Sequence, residues 1–237
     1  MIGISHTRVP TESRPGHVAL IAGVYEDPSS IFKGWKENAV EFDSVFNRSR
    51  QTFAWGSPDI VPMFSKGALP GRVVKEVYDS DQEVFSSSAH TYLLDKWVFD
   101  KVKNFLNESE NIKSLQSKDR IVFFLHLLGM DTSGHVHKPN SVRFTENLKF
   151  VDRGVSEIVK LFEEKFNDNE TAFIFTSDHG MTNRGSHGSG HQHETETPFL
   201  AWGAGVNYWK PASEDFVTRT YVKIGGEEIP RYGEKNC

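Results

Sequence analysis

The sequence predicts an α/β fold, with a mostly parallel central sheet and helices on both faces. Residues 121–128, Ile-Val-Phe-Phe-Leu-His-Leu-Leu, form a continuous apolar run of strand length, as a strand covered on both sides requires. Leu148, Val151, Val155, Ile158, Val159 and Phe162 then recur at helical spacing over four turns. A second apolar run at 172–176 follows, and 198–202 reads as a third strand. Strand, helix, strand in this order predicts a right-handed crossover and a parallel sheet.

The first half is less regular. Residues 1–14 show no complete element and are punctuated by Pro10, with Pro15 and Gly16 just beyond. The small apolar stretch 17–24 predicts a helix starting after that Pro-Gly turn. Residues 31–50 read as mixed helix and loop. Residues 51–71, rich in Gly, Pro and Ser, read as loop with one buried stretch at Ile60 and Val61. Apolar positions between Leu93 and Leu106 suit an amphipathic helix.

Composition narrows the class of protein. The 237 residues carry 27 Lys and Arg against 32 Asp and Glu, a net charge of −5. That balance offers no basic stripe to displace counterions from phosphates, which argues against a nucleic-acid binder. Aromatics at 12% exclude disorder. No run of about 18 apolar residues exists to span a membrane, and the first twenty residues lack the basic-then-apolar pattern of a secretory signal. The single cysteine, Cys237, allows no internal disulfide. Three N-glycosylation sequons nevertheless occur, at Asn47, Asn107 and Asn169. Sequons without an entry signal suggest a piece of a longer protein.

Chemistry concentrates where the strands end. In open α/β sheets, ligands bind beyond the carboxyl ends of the strands. The first strand runs into Gly-Met-Asp131-Thr-Ser-Gly-His135 and the second into Ser-Asp178-His179-Gly-Met. Six of the ten histidines lie between residues 135 and 193. Imidazole and carboxylate hold zinc, or less selectively manganese, and two such clusters at neighbouring strand ends can build a two-metal site. His137, His191 and His193 read instead as surface or capping residues, and Asp178 has a helix N-cap as its alternative role.

Ser-Asp-His-Gly-Met at 177–181, Asp131-x3-His135 and Gly-Ser-His187-Gly together resemble the metal-binding pattern of the alkaline phosphatase superfamily. Within it, residues 4–17, 121–129 and 197–205 are similar to the GPI ethanolamine phosphate transferases, and the likeness runs from about residue 4 to about residue 210. The resemblance implies a partial catalytic domain over 1–210, incomplete at its N-terminus, and a divergent or poorly ordered tail over 211–237. It implies a nucleophile at Ser13, in Pro-Thr-Glu-Ser-Arg-Pro-Gly-His, with Thr11 as the lesser candidate. It further implies two divalent ions, zinc by preference: one held by Asp131, His135 and His187, the other by Asp178 and His179 together with the Ser13 oxygen.

The implied reaction moves phosphoethanolamine from phosphatidylethanolamine to a mannose of a GPI-anchor precursor, on the lumenal side of the endoplasmic reticulum membrane. Attachment to that membrane is expected through parts of a longer protein. Members of the superfamily also place a metal-binding Asp at the end of a strand upstream of the nucleophile, and no such strand is expected here. Little or no transfer activity is therefore expected of this chain alone. A phosphodiesterase or nucleotide pyrophosphatase type hydrolase of the same superfamily, and a non-catalytic remnant, are the alternatives.

Overall fold

The computed structural model describes residues 1–27, 29, 43–81 and 90–207, and the backbone of 220–224 and 227–231. Strands are β1 (Ile2–His6), β2 (Gln51–Gly56), β3 (Val73–Val77), β4 (Ile121–Leu125), β5 (Ala172–Thr176), β6 (Glu196–Gly203), β7 (Thr220–Ile224) and β8 (Glu227–Arg231). Helices are α1 (Ser13–Ala22), α2 (Val45–Arg48), α3 (Val61–Lys66), α4 (Tyr92–Asn107), α5 (Ser109–Leu115), α6 (Gly129–His137), α7 (Val142–Phe166) and α8 (Gln192–Thr195).

The α/β class holds, and its parallel part is the sheet β3-β2-β4. The apolar run of β4 exists because both of its faces are covered. Ile121, Phe123 and Leu125 pack with Phe53 and Trp55 of β2 against α4, α5 and α7. Val122 and Phe124 point the other way, with Val73, onto α1, α2 and α3. Period-two alternation thus sorts one strand between two cores. On α7, Val151, Ile158 and Phe162 are buried. Gly154 leaves room for the Phe99 ring of α4, which a Cβ would strike.

Three sequence expectations are corrected. The first and second apolar strands, β4 and β5, expected in one parallel sheet, lie in two separate sheets. β5 instead pairs antiparallel with β6, which pairs antiparallel with β1, giving a separate sheet β1-β6-β5. β4 and β5 both lie against α7, since the Phe162 ring sits 4.8 Å from Phe123 and 6.1 Å from Phe173. Among the described residues, neither strand has a partner on its second edge.

The second correction is that residues 1–14 do contain an element. β1 is exposed along nearly its whole length and mixes Gly, Ser and His, so no burial rhythm marks it. Its partner β6 lies about 190 residues away in sequence. α1 also begins at Ser13 rather than after Gly16. Pro15 falls in its first turn, where the missing N–H leaves no bond unmade.

Third, residues 51–71 hold β2, the middle strand of the parallel sheet, and α3, with Pro62 in its first turn. The Gly and Pro residues there terminate elements rather than replace them. Gly56 closes β2 at φ 152°. Much of 31–50 lies outside the described residues, as does most of 211–237, where β7 and β8 pair antiparallel.

Candidate metal centre

Three loops and a helix start converge at the ends of β4 and β5. β4 leads through His126 into α6, which carries Asp131 in its first turn and His135 in its last. β5 leads into Asp178 and His179. No helix follows Asp178 until α8, so Asp178 is not a helix cap. α1 presents Ser13 at its first position and packs against the Asp178 loop with no side chain between them. A Cβ on Gly16 would fall 2.9 Å from both the Cβ and the carbonyl oxygen of Asp178. The Thr7 hydroxyl donates to that same carbonyl at 2.6 Å.

Asp131, His135 and His187 each offer a ligand atom, and these atoms lie within 4.8 Å of one another. The two Nε2 atoms are 3.1 Å apart. The Asp131 oxygens stand 3.4 Å from His135 Nε2 and 3.7 Å from His187 Nε2. The other nitrogen of each ring faces a carbonyl, His135 Nδ1 that of Gly185 at 2.9 Å and His187 Nδ1 that of Thr11 at 2.8 Å. Carbonyls only accept, so Nδ1 carries the proton and both Nε2 lone pairs turn inward, the second-sphere arrangement of metal-binding histidines. Asp131 Oδ1 is buried with no hydrogen-bond partner in the protein. Burial raises the Asp131 carboxyl above its ordinary range, opposed by His135, His179 and His187. An orphaned carboxylate oxygen beside two inward lone pairs fits a divalent cation.

The second group adjoins the first, for the His179 and His187 rings stack at 4.0 Å. His179 Nδ1 donates to the Gly180 carbonyl at 2.9 Å, which leaves Nε2 facing Ser13 Oγ at 3.5 Å and Asp178 Oδ2 at 3.7 Å. His17 Nδ1 lies 3.2 Å from the Asp178 carboxylate and 2.8 Å from the Ser13 carbonyl. Burial alone would raise Asp178, but His17 and His179 outweigh it and hold the carboxyl well below the ordinary range. Reciprocally, burial would lower His17, and Asp178 reverses this. His126 packs edge-on to His17 at 4.8 Å and is pushed down to about 3, by burial and then by the neighbouring His17 charge.

Thr11 is wholly buried, its hydroxyl directed at the Glu194 carboxylate at 2.7 Å. His137 lines a separate cavity with Arg143 and Arg153. The His191 side chain accepts from the His193 N–H at the start of α8. His17, His126 and Glu194 join the site only in the folded structure. His17 belongs to the quoted nucleophile segment and offered a signal there, whereas His126 looks like part of an apolar strand.

Comparison with known proteins now bears on this geometry. The family model described as "Type I phosphodiesterase / nucleotide pyrophosphatase" matches residues 5–194. The chain belongs to this family. All the residues of both groups fall inside the match.

Two curated relatives named GPI ethanolamine phosphate transferase 1 are similar to the chain. The protein from Mus musculus is 59% identical over 210 residues, covering 87% of this chain and 22% of the relative. The one from Homo sapiens is 60% identical over 225 residues, covering 93% and 24%. The chain thus spans less than a quarter of the length of these relatives. A solved structure from Vibrio parahaemolyticus, described as a protein in the alkaline phosphatase superfamily, matches with TM-score 0.53 at 17% identity, over 86% of this chain and 52% of that one. At that identity the likeness bears on the fold alone, and the fold is that of the alkaline phosphatase superfamily.

Proposed function

We propose that this chain is part of the catalytic domain of a phosphoethanolamine transferase, which moves the group from phosphatidylethanolamine to a mannose of a GPI-anchor precursor. The observation that carries the proposal is the placing of Ser13 Oγ 3.5 Å from His179 Nε2, with the Asp131, His135 and His187 group stacked directly behind. A hydroxyl nucleophile between two ligand sets suits in-line phosphoryl transfer. The names of the curated relatives support the choice of donor and acceptor.

Asp131, His135 and His187 hold one divalent ion in this reading, and Asp178, His179 and the Ser13 oxygen the other, with zinc suited to the donors. Bound ions supply Lewis-acid charge, which makes the serine alkoxide accessible near neutral pH and offsets charge gathering on the phosphoryl oxygens. Ser13 Oγ attacks phosphorus, the diacylglycerol oxygen departs with a proton, and a phosphoethanolamine ester remains on Ser13. A mannose hydroxyl then attacks that phosphorus and returns the proton to Ser13. The start of α1 adds partial positive charge beside Ser13. Thr11, buried and bonded to Glu194, does not present its hydroxyl for this attack.

Among the described residues the outer edges of β4 and β5 are unpaired, which leaves room in this reading for a further strand carrying an additional Asp ligand at its end. The proposed location is the endoplasmic reticulum lumen. No helix among the described residues is long and apolar enough to cross a membrane. The family description favours one competing reading, a hydrolase with water as acceptor. Labelled phosphatidylethanolamine offered with a mannosylated acceptor, and separately with water alone, distinguishes them. Label on the glycolipid supports transfer, and free phosphoethanolamine in both arms supports hydrolysis.

A further inference from the structure

We infer that Glu194 is a positioning residue for the metal centre. It holds the turn bearing Ser13 and the loops bearing His179 and His187 in one register. The inference rests on the metal-binding reading above.

The Glu194 side chain is 2% exposed. Its Oε2 accepts from the Thr11 hydroxyl at 2.7 Å and from the Ser189 N–H at 2.6 Å, and its Oε1 accepts from the Ser189 hydroxyl at 2.9 Å. Its backbone carbonyl accepts from the Gly180 N–H at 2.7 Å, one residue past His179. No Lys or Arg pairs with it among the described residues. Burying a carboxylate without a cation is unfavourable, and here the offsetting donors come from segments that carry the proposed nucleophile and ligands.

The path from Glu194 to a ligand is short. The Thr11 hydroxyl lies 2.7 Å from Glu194 Oε2 and 2.9 Å from the Ser189 carbonyl, so the two acceptors share its proton, and its oxygen accepts from the Gly188 N–H at 2.7 Å. The Thr11 carbonyl accepts from His187 Nδ1 at 2.8 Å, the contact that turns the His187 Nε2 lone pair toward Asp131. Displacing Thr11 therefore rotates His187 and moves Ser13, two residues on. Outer partners of this kind change metal affinity by about 10- to 100-fold when removed.

The test is Co²⁺ binding by the 237-residue chain, followed by visible d–d absorption, with His135→Ala locating the signal. Glu194→Gln keeps the shape but removes the charge and replaces one of the two acceptor oxygens with a donor. The expected result is at least about tenfold weaker Co²⁺ binding with an altered spectrum and an unchanged far-UV circular dichroism spectrum. Thr11→Val is expected to weaken binding similarly and Thr11→Ser, which keeps the hydroxyl, to restore it. Should Glu194→Gln not fold, Ser189→Ala at an exposed site removes one donor and is expected to weaken binding several-fold. Wild-type affinity and spectrum in folded Glu194→Gln and Thr11→Val, or in Ser189→Ala if the first does not fold, overturn the inference alone. Failure of the unsubstituted chain to bind Co²⁺ overturns the metal reading and this inference with it.

Discussion

Ser13 Oγ and His179 Nε2 face one another at 3.5 Å, although 166 positions separate them in the chain. The His179 tautomer is fixed from behind by the Gly180 carbonyl, so its free lone pair and the hydroxyl point into the same space. Replacing Ser13 with Ala is expected to leave the fold intact and removes the atom proposed to carry the group. Transfer by the full-length protein is expected to fall by on the order of 10⁴-fold or more, with bound metal reduced only modestly. Normal transfer by Ser13→Ala would refute the nucleophile assignment.

Asp131 supplies the carboxylate of the His135–His187 group, and its Oδ1 has no hydrogen-bond partner. Asp131→Asn keeps the volume and removes the charge that balances a cation. Zinc content, read by elemental analysis after dialysis, is expected to fall by about one ion per chain, with Asp178→Ala lowering it independently. Full zinc occupancy in both variants would exclude the proposed ligand sets.

Asp95 supports α6 from below, accepting the Gly129 N–H at 2.9 Å while its Oδ2 is buried without a partner. Burial pushes this carboxyl up from 3.8 to about 7. Because the folded state keeps the proton to higher pH than the unfolded chain, stability falls as pH rises from about 4 to about 7 and then levels off. The loss across that window is about 4 kcal/mol by linkage. Asp95→Asn stays neutral and is expected to flatten that decline in urea midpoints measured from pH 4 to 8. Parallel curves for both proteins would dismiss the effect.

Gly16 permits contact between α1 and the Asp178 loop, since an added Cβ would fall 2.9 Å from backbone and Cβ atoms there. Gly16→Ala raises helix propensity yet forces the two segments apart, so a net destabilisation of about 1–3 kcal/mol is expected. Denaturant melts check the sign, and a stabilised variant would show the contact to be slack.

Asn107 and Asn169 are exposed, whereas the Asn47 side chain accepts the Leu69 N–H at 3.1 Å and donates to Asp43 at 3.4 Å. In a secretory host, glycans are expected on Asn107 and Asn169 and not on Asn47. Glycopeptide mass spectrometry reads this directly, and a glycan on Asn47 would count against it.

What sequence alone determined is local chemistry. The apolar runs of β4 and β5 and the α7 spacing are legible because burial on both faces, or on one helical stripe, leaves a periodic mark. Asp131, His135, Asp178 and His179 stand out because they follow those strands directly. β1 and β2 left no such mark: one is an exposed edge strand, and the other is enclosed by turn residues that masked it. Sheet pairing depends on partners far away in sequence, so β5 joining β6 rather than β4 was decided only in three dimensions. The same holds at the centre, where His187 Nδ1 meets the Thr11 carbonyl across 176 positions. That bond, and the buried Glu194 behind it, arise from loops that share no local pattern and meet only because both sheets deliver them to one edge.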